Sequence, residues 1–224
     1  MSTNQHQYKQ VRAVYNNDTV VVYQAYNADI ATEAVRTQRL DSSPLYHVGT
    51  RMTWIKPSFL WAMYRSGWSY KDINQAHILK ISMSRAGFEE ILKMASVNGY
   101  HTQPPDTAIK STKKARTQLH AKSEDALTDT TDRPTQEGAA VRVQWDPERG
   151  VNTEKLNYRS IQIGIGRTVV RRWIEEWIVS IDDITDAVRR WKSMLDAGEV
   201  DAVKAELPQE AEYALPDDLK WILE

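Results

Sequence analysis

The hydrophobic period of this chain switches repeatedly between two and about three and a half residues. No other feature of the sequence limits its fold as strongly. VRAVY (11–15) and TVVVYQAY (19–26) are β-branched runs on either side of Asn16-Asn17-Asp18, which predicts a hairpin. ADIATEAVRTQRL follows. It puts Ile30, Ala34 and Val35 on one stripe and Arg36 and Arg39 on other faces, with Asn27 placed to cap the helix. The same change recurs further on. An extended stretch around Met52 to Ile55 leads through Pro57 into SFLWAMYRSGW, a helix with Gly67 as its stop. HILKISMS (77–84) reads as a strand near a sheet centre, and RAGFEEILKMASVNG (85–99) as an amphipathic helix ended by Asn98-Gly99. VRVQW (141–145) is a strand by alternation, DPERG a turn, and YRSIQIGIG (158–166) another strand. RTVVRRWIEEWIV (167–179) reads as a helix or partly strand. DDITDAVRRWKSMLDAG (182–198) reads as a helix capped by Asp182 or Asp183 and stopped at Gly198. The expected fold is α+β: a single domain with a central mixed or antiparallel sheet flanked by helices.

That domain is expected to span 11–198. Residues 1–10 read as a frayed tail. Residues 101–140 hold few large apolar side chains and read as a mobile insertion, with a short helix around 108–122. Residues 199–224 form an acidic extension that docks through Trp221 and Leu223. Eight Trp against two Phe is an unusual ratio. Trp54, Trp61 and Trp68 fall seven apart, near one helical face or its approach, which suits either core packing or ligand stacking.

Several function classes are excluded. With no cysteine, the chain has no disulfide and no thiolate to act as nucleophile or zinc ligand. His6, His47, His77, His101 and His120 share no metal-binding spacing, so no metal is expected. GxGxxG, GxxxxGK[ST] and GxSxG are missing, which weighs against Rossmann, P-loop and α/β-hydrolase sites. A net charge of -1 leaves nucleic-acid binding to local patches such as Lys110, Lys113, Lys114, Arg116 and Lys122, a cluster that also suits a solvated face. No apolar run reaches the roughly 20 residues of a spanning helix, and MSTNQHQYKQ has no apolar leader. The expectation is a cytoplasmic protein without a membrane partner.

Three segments carry candidate chemistry. In VVYQAYN (21–27), a strand opens into a helix. Gln24 and Asn27 can read amides or hydroxyls there, and Tyr23 and Tyr26 can stack; the plain reading is a helix cap and core tyrosines. In RMTWIKPSFLWAMYRSGW (51–68), Arg51 and Lys56 precede a helix whose N-terminus carries Ser58 and whose body carries Trp61, Tyr64 and Arg65. Two cations beside free helix N–H groups suit a phosphate or pyrophosphate; solvated charges at a helix start are the plain alternative. In VQWDPERG (143–150), Glu148 projects from the expected turn as a carboxylate, or merely as half of a salt-bridged hairpin. Gln162, between Ile161 and Ile163 on the neighbouring strand, points away from their face.

The strings VVYQAYN, RMTWIKPSFLWAMYRSGW, QWDPERG and RSIQIG together resemble a family of small bacterial and fungal proteins defined only as a domain of unknown function, over about residues 10–190. A second resemblance, in the order of elements, is to the ADP-ribosyltransferase superfamily. Tyr23-Gln24-Ala25 stands where that superfamily has a polar triplet. TWIKPSFLWAMY is similar to its aromatic and serine-containing stretch, with Ser58 and Tyr64 matching, and HILKISMS is similar to its following strand. The catalytic Glu of the late strand is replaced by Gln162, the nearest carboxylate is Glu148, and the triplet's cation is missing unless Arg12 supplies it. This resemblance implies an ADP-ribosyltransferase-like fold and NAD as substrate. The pyrophosphate would lie near Arg51, Lys56 and the helix N-terminus, and the nicotinamide would stack on Tyr23, Trp54, Trp61 or Tyr64. It also implies transfer of ADP-ribose to a nucleic acid, nucleotide or protein acceptor. Two other readings fit the same residues: a nucleotide or nucleic-acid binding module without turnover, and a Trp-rich protein-interaction domain.

Overall fold

The computed structural model describes residues 8–97 and 140–224. The Asn98-Gly99 helix stop, the 108–122 helix and the basic cluster around Lys113 lie outside the described residues.

The elements run β1 (Arg12–Ala13), β2 (Thr19–Tyr26), α1 (Ala28–Thr37), β3 (Thr53–Ile55), α2 (Phe59–Ser66), β4 (His77–Ser84), α3 (Arg85–Lys93) and β5 (Ala95–Val97). After the undescribed stretch come β6 (Val141–Arg149), β7 (Lys155–Ile165), α4 (Val170–Arg172) with a π turn at Trp173–Trp177, β8 (Ile178–Asp183), α5 (Thr185–Asp196), α6 (Val200–Glu206) and β9 (Ala211–Glu212). Short 3-10 turns intervene, the last at Asp217–Leu223. The fold is α+β, with one antiparallel three-stranded sheet (β2-β4-β8) and one mixed four-stranded sheet (β3-β7-β6-β5). β1 and β9 pair separately.

The three-stranded sheet is covered on both faces, which is why VVVY is continuously apolar and does not alternate. Val20, Val22, Leu79, Ile81 and Met83 from one face join Val141, Val143, Ile161, Ile163 and Ile165 of the four-stranded sheet in the main core. Val21, Tyr23 and Ile78 from the opposite face pack with Phe59 and Met63 of α2 and with Val188 and Trp191 of α5. The two sheets are joined where Tyr23 N–H donates to the Lys56 carbonyl (2.8 Å) and Lys56 N–H to the Tyr23 carbonyl (3.3 Å). Past that junction β2 and β3 part, and a cleft opens between them.

Five sequence expectations change in the structure. The 11–26 turn is present, with Asn16 N–H donating to the Thr19 carbonyl, but β1 pairs with β9, and the full-length partner of β2 is β4. Helix α3 stops at Lys93, and Ala95–Val97 becomes a strand parallel to β6. DPERG is not a turn. β6 continues to Arg149 because Pro147 faces Arg159, whose carbonyl accepts instead from Gln10 N–H across the other edge of β7. A residue without an N–H costs little at such a position. The turn lies one step later, with Gly150 N–H donating to the Glu154 carbonyl. Trp54, Trp61 and Trp68 share no face: they sit on β3, on α2 and in the turn after it. In the 199–224 segment Val203, Leu219 and Ile222 are fully buried anchors, while Trp221 and Leu223 are partly buried beside the last two. The Ile222 carbonyl also accepts from Trp145 Nε1.

The helices follow their caps. Asn27 Oδ1 accepts from Ile30 N–H, and Ser58 Oγ from Trp61 N–H. Gly67 ends α2 at φ 57°. Gly87, in the first turn of α3, is required by a close approach. A Cβ there would stand 2.4 Å from Trp177 Cγ. Gly87→Ala should therefore cost about 1–3 kcal/mol by overpacking. This would be read as a lower urea midpoint at unchanged m-value; an unaltered midpoint would mean that the Trp177 contact is soft.

Candidate nucleotide-binding cleft

The cleft has a volume of about 460 Å³. Its walls come from the end of β2 (Tyr23, Gln24, Ala25, Tyr26), from Arg51 to Lys56 on and around β3, and from Ala62, Arg65 and Ser66 of α2. Gln75 and Ile78 close one side, and Gln144 and Gln162 supply the outer face of the four-stranded sheet. Its position follows from the local folding. β3 is held to β7 by Thr53↔Ile165 and Ile55↔Ile163, so Ile55 enters the core while Trp54 and its neighbour Lys56 turn outward. The Trp54 ring lies against Gly164, where a Cβ would stand 2.9 Å from it.

Arg51, Lys56 and Arg65 bring three cations to this cleft, and none is in an ion pair with a described carboxylate. Burial pushes the Lys56 ammonium down to about 8, the nearby Arg65 pushes the same way, and Asp146 pulls back. Asp146 stands behind Gln162. Gln162 Nε2 donates to Asp146 Oδ2 at 2.6 Å and to Gln144 Oε1 at 2.8 Å. Desolvation raises the Asp146 carboxyl above its ordinary value, against the pull of Gln162, Arg65, Arg159 and Lys56. Gln24 Nε2 donates to Thr53 Oγ1 (2.7 Å) and to the Trp54 carbonyl (3.1 Å), while its buried Oε1 has no partner.

Eight of the residues selected from sequence line the cleft: Tyr23, Gln24, Tyr26, Arg51, Trp54, Lys56, Arg65 and Gln162. Tyr23 does so as a core residue, 1% exposed and edge-on to Phe59. Six lie elsewhere. Asn27 and Ser58 are spent as helix caps. Trp61 is buried and stacks on Tyr64 at 5.2 Å, and Arg149 covers Tyr64 at 3.8 Å, so neither ring is open to a ligand. Arg12 donates to the Glu210 carbonyl. Glu148 is 3% exposed and accepts from Arg149 N–H and Ser160 Oγ. The helix N-terminus invoked for a pyrophosphate is also filled, since Phe59 N–H donates to Glu210 Oε1 at 2.6 Å. The cations of the cleft are side chains, Arg51, Lys56 and Arg65.

Sequence reasoning missed Thr53, Gln75, Gln144, Asp146 and Glu210. Gln144-x-Asp146 carried a signal, since alternation puts both on the polar face shared with Gln162. Glu210 carried none, because its place depends on the C-terminal segment returning to α2. Among the described residues no helix is long and apolar enough to cross a membrane, and no cluster of His, Asp or Glu could hold a metal ion.

Fold and site together define an α+β protein of two joined sheets with a cation-lined cleft at their junction. Within that class the chain belongs to the DUF4291 family, a domain of unknown function, whose model matches residues 10–213. The match agrees with the first resemblance read from the sequence and continues into the C-terminal segment. No curated protein matches the chain.

Proposed function

We propose that the cleft binds a nucleotide through its phosphates and that the protein is a transferase of the ADP-ribosyltransferase type, with NAD as donor. The observation that carries this is the convergence of Arg51, Lys56 and Arg65 on one cleft, none of them paired with a described carboxylate. Like charges held together with only the more distant Asp146 to offset them suit an anionic ligand with more than one negative oxygen. Trp54 and Tyr26 are the aromatic residues, besides the core residue Tyr23, that line the same cleft.

In the proposed reaction the N-glycosidic bond between nicotinamide and ribose C1′ breaks, and its electron pair leaves with nicotinamide. C1′ becomes oxocarbenium-like and forms a bond to an acceptor oxygen or nitrogen, which gives up its proton. Asp146 is the carboxylate nearest this role: its negative charge, one hydrogen bond behind Gln162, opposes the positive charge developing at C1′. Glu148, engaged and buried, is not assigned a step.

NAD titrated by calorimetry, with nicotinamide release followed in parallel, tests the reading. Saturable binding and release are expected. Asp146→Asn keeps an acceptor for Gln162, so it should bind NAD within about threefold of wild type and release nicotinamide at least about tenfold more slowly. No binding at millimolar NAD would sink the reading. A second reading, nucleotide binding without turnover, is favoured by one observation: among the described residues no carboxylate lines the cleft directly. It predicts binding without release. The Trp-rich docking reading loses its surface, because Trp61, Trp68, Trp145, Trp173, Trp177 and Trp191 are all buried.

A further inference from the structure

A glutamine in the middle of an apolar strand is costly unless its amide is fully used. Gln24 follows Val20 and Val22 on the same face of β2 and is 6% exposed. Its orientation is fixed by the Trp54 carbonyl, which can only accept. The group 3.1 Å from that oxygen must therefore be the amide nitrogen, and the second N–H goes to Thr53 Oγ1 at 2.7 Å. Both donors are thereby consumed by β3, on which Thr53 and Trp54 lie. The carbonyl Oε1 is buried, lacks any partner, and belongs to a residue that lines the cleft. Native structures rarely leave such an acceptor unused.

We infer that Gln24 Oε1 is a specificity element that reads an N–H donor on a flat ring, either the exocyclic amine of a purine base or the carboxamide of nicotinamide. The inference deepens the nucleotide reading above and rests on it for the class of ligand. Phosphate and carboxylate groups cannot satisfy Oε1, since they offer it only acceptors. Trp54 and Tyr26 line the same cleft as Gln24, which suits a planar heterocycle with an in-plane N–H. An acceptor held rigidly by two donated hydrogen bonds rejects a ligand that presents an oxygen in the same place, because two acceptors then face each other in a buried site.

The test uses three dinucleotides and two mononucleotides on the full chain. NAD is compared with its nicotinic-acid analogue, which replaces the carboxamide by a carboxylate, and with its hypoxanthine analogue, which replaces the adenine amine by an oxo group. AMP and IMP repeat the second comparison without nicotinamide. One analogue should bind about tenfold more weakly than NAD, or worse, and which one does so identifies the donor. In Gln24→Met the discrimination should fall to within about threefold, a ratio that is read only from folded protein and so survives partial destabilisation. Equal binding of all three dinucleotides by wild type, or undiminished discrimination in Gln24→Met, overturns the inference. If AMP exceeds IMP about tenfold while NAD does not bind, the transferase reading falls and the role of Gln24 stands. If neither NAD, AMP nor IMP binds at millimolar concentration, both fall.

Discussion

A Lys56→Met, Arg65→Met protein should bind NAD about two to three orders of magnitude more weakly than wild type, while unfolding at the same urea concentration or a higher one. The loss follows from removing two charge-assisted contacts to phosphate, each worth about 1.5–3 kcal/mol when the partner is ionised. The retained stability follows from what these cations do without ligand. Neither has an ion pair among the described residues, and each raises the cost of charging the other. The sign of the Lys56 shift sets the pH window. Its folded value, about 8, lies below the ordinary 10.5, so the fold disfavours the ammonium. The destabilisation is complete below pH 8 and lifts as pH rises toward 10.5. Any gain in the variant should appear at neutral pH and vanish in strong alkali. Wild-type affinity should weaken as pH rises through 8, with proton uptake on binding seen as a buffer-dependent enthalpy in that range. Wild-type affinity in the double variant would place the phosphates elsewhere.

The local part of this fold was legible because local chemistry decides it. Asn27 and Gly67 mark helix ends as expected, while Ser58, expected inside α2, turns out to cap it. HILKISMS was readable as a central strand, and β4 is the middle of its sheet. Misreadings arose where a distant partner outweighed a local signal. Asp146-Pro147 is a turn by composition, yet it stays in β6 because the Arg159 carbonyl of β7 already accepts from Gln10 N–H. Ala95–Val97 continues a helical pattern by composition, yet it becomes a strand because β6 offers it an open edge.

The site divided in the same way. Gln162 on β7, read from strand alternation, lines the cleft, as do Gln24 on β2, read as a polar residue before a helix, and Arg51 and Lys56, read as cations beside a helix start. The helix N-terminus set beside these cations, with Ser58, is not open to a ligand, because it is already satisfied from inside the protein. The N–H groups near the start of α2 go to Ser58 and Glu210. Glu148 was chosen as the projecting carboxylate of a turn that does not exist, while Asp146, two residues earlier on the same strand, faces Gln162. The C-terminal segment, set apart by its acidity, supplies Tyr213, Leu215, Leu219 and Ile222 to the core. Its charge reflects the exposed faces of short elements and says nothing of their buried ones.

Glu210→Gln should flatten the pH dependence of stability and leave the variant more stable than wild type above pH 8. Glu210 is held at the start of α2 by Phe59 N–H, with Glu148 and Arg12 near it from β6 and β1, and Tyr23 and Tyr158 near it from β2 and β7. Arg12 gives its hydrogen bond to the Glu210 backbone carbonyl, so the carboxylate is not directly neutralised by it. Burial first, and then the Glu148 charge, push the Glu210 carboxyl up to about 8 from its ordinary 4.5. An acid raised in the folded state holds a proton that the unfolded chain has lost. Its stabilising contribution is therefore complete below pH 4.5 and is lost as pH rises to 8. At about 1.4 kcal/mol per pH unit, the loss across that window is on the order of 5 kcal/mol. Glutamine keeps an oxygen for Phe59 N–H and has nothing to titrate. Urea unfolding at pH 5 and pH 8.5 separates the cases. Wild type should drop between the two while the variant holds, so that the order reverses. A variant less stable than wild type at pH 8.5 would mean that the ionised carboxylate, paired with the helix dipole and Arg12, is the form the fold requires. The stake is local as well as global, because α2 carries Arg65 into the cleft and this one carboxyl fastens its start to the C-terminal segment.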